Sequence, residues 1–120
     1  MSSDVETPGV TFDDVRAMAL ALPGVTEGPS YGTPGYRVGK KLFARQHQDG
    51  ESLVLTVNAF ERPYLLEAEP DVFYITDHYR DYPRVLLRMA AATPARLRRA
   101  LEDAWRIDAP KRLVAEYDRR

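Results

Sequence analysis

The chain has 120 residues, 44% of them hydrophobic and 29% charged, with a formal net charge of −1. That length and balance describe one globular domain and exclude a disordered tail, a collagen repeat and a coiled coil. Cysteine is absent, which excludes disulfides, thiolate metal sites, iron–sulfur clusters and cysteine nucleophiles, and no apolar run approaches the ~20 residues of a membrane span.

Residues 1–10 mix Ser, Pro, Gly and acidic side chains and read as a flexible lead-in. With Asp4 and Glu6 and no apolar core, this stretch is read as neither a signal nor a transit peptide, and a cytoplasmic location is expected. Thr11 is placed to cap a helix, with Asp14 where a capping-box carboxylate sits. Phe12, Val15, Ala19 and Leu22, with Met18 beside them, give that helix one apolar face, and Pro23-Gly24 ends it. From Val25 to Gly35, Gly28, Gly32 and Gly35 alternate with Pro29 and Pro34, which predicts an extended segment broken by turns.

Tyr36 to Val38 and Lys41 to His47 read as strands joined at Gly39-Lys40. Asp49-Gly50, a strong hairpin signal, joins the second of these to Ser52–Val57. Asn58 starts a short helix to Glu69, restricted early by Pro63. Two further strands, 72–76 and 85–89, flank a polar and aromatic loop from Asp77 to Pro83. Thr93 and Pro94 open a long helix to about Ile107, with Leu97, Leu101, Ala104 and Trp105 facing inward. Pro110 stops it, and the domain is read over 11–113, with 114–120 as a tail or frayed helix. Hairpin-linked strands flanked by helices predict an α+β domain with a mainly antiparallel sheet.

Charge is uneven along the chain. Residues 1–79 hold six Lys and Arg against twelve Asp and Glu, whereas residues 80–120 hold eleven against six. A basic half can steer an anionic partner, although a pI near 6.1 is low for a strong nucleic-acid binder. Two-residue hairpin loops would pair Ala44 with Leu55, Leu42 with Val57 and Gln46 with Leu53 on a core-side face. The other face then carries Tyr36, Val38, Lys41, Phe43, Arg45, His47, Val54 and Thr56. Bases among aromatics on a sheet face match the layout of single-strand binders. The competing interpretation is a half-buried face covered by a helix, with Lys41 and Arg45 at its rim. Arg96, Arg99 and Arg106 form a helical stripe that reads as a solvated face.

Catalytic and metal motifs are missing. His47 and His78 stand in no metal-ligand spacing, no serine sits in a G-x-S-x-G elbow, and Gly28, Gly32 and Gly35 do not open a phosphate-binding helix. No cofactor and no catalytic residue are expected.

The segments ALALPGVTEGPSYGTPGYRVGKKLFAR (19–45), FYITDHYRDYPRVLLRMA (73–90) and DAWRIDAPKRL (103–113) closely resemble the MmcQ/YjbR family of small bacterial proteins. Gly35 departs from the family pattern, which usually carries a side chain there. The resemblance implies a frataxin/CyaY-like α+β domain, and a non-enzymatic DNA-binding label linked to paired hairpin wings. Carried onto this chain, it points to Lys40, Lys41 and Arg45 on the hairpin, to His78, Tyr79, Arg80 and Arg84 in and after the loop, and to Lys111 and Arg112. An alternative is an aromatic pocket for a small planar ligand, lined by Tyr31, His78, Tyr79, Tyr82 and Trp105. A protein-interaction module using the acidic first helix is a third. No membrane partner is expected, and a monomer is favoured.

Overall fold

The computed structural model describes residues 6–120. Helix α1 (Phe12–Leu20) opens on a complete capping box. Thr11 N–H donates to Asp14 Oδ2 at 2.8 Å, and Asp14 N–H donates to Thr11 Oγ1 at 3.1 Å. Residues 6–10 of the expected lead-in are docked rather than loose. Gly9 and Val10 donate to the carbonyls of Ala92 and Met89, and the Glu6 carboxylate accepts from Ala95 N–H at 2.8 Å. The last of these bonds gives a partner to an N–H group in the first turn of the helix that starts at Pro94, which has none within the helix. Residues 1–5 lie outside the described range.

The extended segment broken by turns expected over 25–35 is a hairpin that runs on to Val38. Strands β1 (Val25–Ser30) and β2 (Thr33–Val38) meet at a two-residue turn, Tyr31-Gly32, in which both residues have positive φ. Such a turn matches strand twist but favours Asn, Asp or Gly at its first position. Pro29 and Pro34 face each other one step from the turn. Pairs alternate along a hairpin, so this one is non-hydrogen-bonded and the missing N–H groups cost nothing. At Gly35 a Cβ would meet Leu42 Cδ1 at 2.9 Å and Ser30 Cβ at 3.0 Å, which explains the glycine at this departure from the family pattern.

Strands β3 (Lys41–Gln46) and β4 (Ser52–Thr56) pair Ala44 with Leu55 and Gln46 with Leu53, the register expected from Asp49-Gly50. Helix α2 (Arg62–Ala68) follows, then β5 (Phe73–Tyr74), a 3-10 turn (Asp77–Tyr79) and β6 (Arg84–Arg88). Helices α3 (Pro94–Asp108) and α4 (Lys111–Asp118) complete the chain. The sheet has six antiparallel strands in the order β1-β2-β3-β4-β6-β5. It is a single α+β domain.

One irregularity resets the faces of the sheet. Tyr36 pairs with Ala44 but Arg37 pairs with Leu42, so Phe43 is an extra residue in β3. A bulge of one residue reverses side-chain alternation beyond it. Phe43 and Ala44 therefore both join the core, with Tyr36 and Val38. Leu42 turns to the opposite face, and Lys41 lies beside Asp108 and Lys111 on the helix side. The expected placing of Tyr36, Val38, Lys41 and Phe43 with Arg45, and of Leu42 opposite Val57 on the core side, is corrected accordingly. Thr56 also leaves that set, since its hydroxyl donates to Asp108 Oδ2 of α3 at 2.7 Å.

The core fills the space between the sheet and α1 and α3. Val15, Val38, Leu53, Leu87, Leu97 and Trp105 are all fully buried there. Trp105 Nε1–H donates to Pro23 O at 2.9 Å, and its ring meets Tyr117 edge-on at 5.1 Å. Helix α4 is thereby an ordered packing element, tied further by Arg106, which donates to both Glu102 and Asp118. The Arg106 guanidinium beside Asp118 holds that carboxyl below its usual range. On the β1–β2 side, Tyr36 donates its hydroxyl to Glu27 at 2.9 Å and Arg16 reaches the same carboxylate at 3.0 Å. Those two contacts, Tyr36 first, hold the Glu27 carboxyl below the ordinary value, while burial and then Glu27 push the Tyr36 phenol up.

Candidate functional site

The face of the sheet away from α1 and α3 carries a second, smaller apolar cluster of Val54, Tyr79 and Leu86, with Tyr74 against it. Beside this cluster lies a cleft of about 480 Å³, within the size range of small-ligand sites. Its floor comes from β3 and β4 through Leu42, Arg45 and Val54. One wall is Tyr31 at the β1–β2 turn; the other is His78, Tyr79, Tyr82 and Arg84 from the segment leading into β6.

Arg45 is the centre of the site and only 6% exposed. Its Nη2 donates to the Tyr79 hydroxyl at 2.6 Å and to Gln48 Oε1 at 3.3 Å; its Nη1 donates to Gln46 O at 3.1 Å. Every one of these acceptors is neutral. Among the described residues no carboxylate forms an ion pair with Arg45 or with Arg84. No Asp or Glu lines the cleft. A buried cation without a counter-charge is costly, because desolvation disfavours the charged form and neutral hydrogen bonds return only part of the loss.

The aromatic walls are exposed. Tyr31 is 79% and Tyr82 57% accessible, and the Arg45 guanidinium carbon lies 5.1 Å from the centroid of the Tyr31 ring. Tyr31 has φ of 53°, a left-handed backbone that costs an L side chain about 1–2 kcal/mol.

Arg62 positions the far wall. Its Nη1 donates to the carbonyls of Tyr79, Tyr82 and Arg84 at 3.0, 2.6 and 3.0 Å, and its Nη2 to that of Arg80 at 2.7 Å. Four backbone acceptors of a tight loop are thus collected by one side chain at the start of α2. Sequence reasoning missed Arg62, because nothing in its neighbourhood distinguishes it from a solvated arginine at a helix start.

The sequence-predicted cations separate into two groups. Arg45 and Arg84 line the cleft; Arg80 is on the same loop but pairs with Asp77. Lys41 and Lys111 instead line a separate hollow at the α3–α4 junction, together with Asp108 and Asp118. Lys40 occupies the β2–β3 turn with φ of 75°, and Arg112 faces Glu116 at 3.8 Å. Of the expected pocket aromatics, Tyr31, His78, Tyr79 and Tyr82 come together. Trp105 does not: it is fully buried in the core on the helix side.

A larger groove of about 900 Å³ runs between α2 and α3, and two of the three arginines lining it, Arg96 and Arg106, are paired locally with carboxylates. Arg96 is bidentate to Glu69 at 2.8 and 3.0 Å, and Arg106 is held by Glu102 and Asp118. Among the described residues no three His, Asp or Glu side chains gather as metal ligands, and no helix is long and apolar enough to cross a membrane.

The model of the YjbR family matches residues 20–107 of the chain, nearly all of the sheet and α3. The chain belongs to the YjbR family. Uncharacterized protein Rv2570 of Mycobacterium tuberculosis is 30% identical to it over 125 residues, covering 89% of this chain and 95% of the relative. Uncharacterized protein Mb2600 of Mycobacterium bovis matches to the same extent. The crystal structure of Deinococcus radiodurans protein DR2400, a DUF419 domain, superposes with a TM-score of 0.71 at 22% identity, over 86% of this chain and 81% of that one. That likeness establishes the fold and leaves the chemistry of the cleft to this YjbR domain's own residues.

Proposed function

We propose that this YjbR domain is a non-enzymatic binding module that holds a small anionic ligand in the cleft on the outer face of its sheet. The observation that carries this is Arg45, buried, charged and surrounded only by neutral acceptors. A bound anion supplies the missing counter-charge in a partly desolvated site, where charge-assisted bonds are strongest. A binding role fits a cleft lined by aromatic rings with a few charged and hydrogen-bonding groups.

DNA contact through the same hairpin face is the second reading. Exposed Tyr31 and Tyr82 beside Arg45 and Arg84 support stacking of unpaired bases more than tracking of a duplex. Duplex binding needs several cations on one surface, and Lys40, Lys41, Lys111 and Arg112 sit apart from the cleft.

The test is an amide chemical-shift titration of the full chain with inorganic phosphate, beside anisotropy with labelled single- and double-stranded DNA at about 50 and 200 mM salt. Phosphate is expected to shift Arg45, Gln48 and Tyr79 while the α3–α4 junction stays still. Duplex binding that falls by orders of magnitude with salt and shifts Lys41 and Lys111 instead would replace the cleft with a DNA surface.

A further inference from the structure

Several polar groups around Arg45 keep free donors, and their arrangement narrows the ligand. A guanidinium only donates, so the Gln48 oxygen must face Arg45, which leaves both hydrogens of the Gln48 amide for another partner. The Tyr79 hydroxyl accepts from Arg45 at 2.6 Å, so its own proton is free, and no acceptor takes it among the described residues. Arg84 spends one bond on Pro83 O at 3.1 Å and keeps its remaining donors. Two guanidinium charges, a phenol proton and an amide thus converge on one cleft with no acid in its lining.

The upper part of the cleft is chemically different. Tyr31 stands on the β1–β2 side of Arg45 in the sheet order, and His78 and Tyr82 on the β6 side, their two rings 6.2 Å apart and tilted by 34°. The Tyr31 ring lies over the Arg45 guanidinium, and Tyr82, against His78, is exposed on the other side of the cleft. Rings of this kind stack on flat heteroaromatic groups without demanding a particular hydrogen-bonding edge.

Resting on the anion-binding reading above, we infer that the cleft takes an aromatic phosphomonoester of the nucleoside monophosphate class. The phosphate lies on Arg45, Arg84, the Tyr79 O–H and the Gln48 amide, and the base lies against Tyr31 and Tyr82. A phosphomonoester carries a charge near −2 at neutral pH and so balances both arginines, which a single carboxylate does not. Its three terminal oxygens also match these free donors.

Isothermal calorimetry on the full chain with adenosine 5′-monophosphate, adenosine and inorganic phosphate tests the inference. The nucleotide is expected to bind about tenfold or more tightly than either fragment, the gain that one stacked base supplies. Tyr82→Ala and Tyr31→Ala should bring the nucleotide down to the affinity of phosphate. Arg84→Gln should weaken nucleotide and phosphate together. Phe60→Ala, at an exposed aromatic outside the cleft, should change nothing. A nucleotide that binds no better than phosphate overturns the aromatic part and leaves the anion reading standing; no binding by either overturns both. A 5′-phosphorylated single strand that competes with the nucleotide, and loses affinity in the same variants, would support the same chemistry with a strand end as its source.

Discussion

The two faces of one sheet solve the same burial problem differently. Toward α1 and α3, Leu53, Leu55 and Leu87 meet Leu97, Leu101 and Trp105, and apart from Arg96 Nη1 the buried polar side-chain atoms there are paired within the fold, as in the bond from Trp105 to Pro23 O. On the outer face the cluster of Val54, Tyr79 and Leu86 is small, and Arg45 beside it is buried without a counter-charge. Adjacent residues of the same strands supply both: Leu53 and Val54, Ala44 and Arg45, Leu86 and Leu87. The helix side is finished by folding. On the reading proposed above, an anion would finish the outer side electrostatically.

The sharpest way to break that comparison is on the helix side. Trp105→Ala removes a fully buried ring and should destabilise the domain by about 3–5 kcal/mol in urea unfolding. A loss near zero would mean that this face is not the core. Next in size, Arg62→Ala takes one donor from the carbonyls of residues 79, 80, 82 and 84, of which those of Tyr79 and Tyr82 keep a backbone N–H from Tyr82 and Arg84. The expected cost is about 1–2 kcal/mol, with amide exchange faster across residues 79–84 than in β3 and β4. Uniform acceleration would show that Arg62 supports the whole fold rather than one wall of the cleft.

Tyr31→Asn should act in the opposite sense. Asn tolerates the left-handed turn position better than Tyr, so the variant is expected to gain up to about 1 kcal/mol while its affinity for the nucleotide falls. A destabilised variant would make Tyr31 a structural ring. The smallest effect is expected at Glu27, whose pKa is lowered by Tyr36 and then Arg16. Stability from a carboxyl with a depressed folded pKa is present above the unfolded value and is lost as pH falls through the folded one. The gap between wild type and Glu27→Gln in urea midpoints should therefore close as the pH drops below the ordinary value of 4.5. A gap independent of pH would remove the charge from that account.

Much of the fold is legible in local chemistry. Thr11 and Asp14 announce the capping box, Thr93-Pro94 the start of α3, and Asp49-Gly50 the register of β3 against β4, because each acts through backbone bonds a few residues away. The bulge at Phe43 is not legible, since no glycine or turn residue marks it, and it alone moves Lys41 to the helix side and Leu42 to the cleft. The Tyr31-Gly32 turn is hidden because tyrosine is an unfavourable residue for it. Trp105 is legible as a core residue: its helical spacing with Leu97, Leu101 and Ala104 places it on the inner face, where the structure has it, and only the alternative reading as a pocket aromatic fails. The contact of Arg45 with Tyr79 joins residues 34 apart in sequence, which local patterns do not reach.

The most direct test of the account is Arg45→Met, with unfolding free energy and phosphate binding measured on the same preparation. If the charge serves a ligand, an apolar side chain of similar length removes a desolvation cost; stability then stays within about 1 kcal/mol of wild type while phosphate binding is lost. A variant destabilised by about 3 kcal/mol or more that still binds phosphate would show that Arg45 belongs to the fold, and that the outer face is not built around an anion.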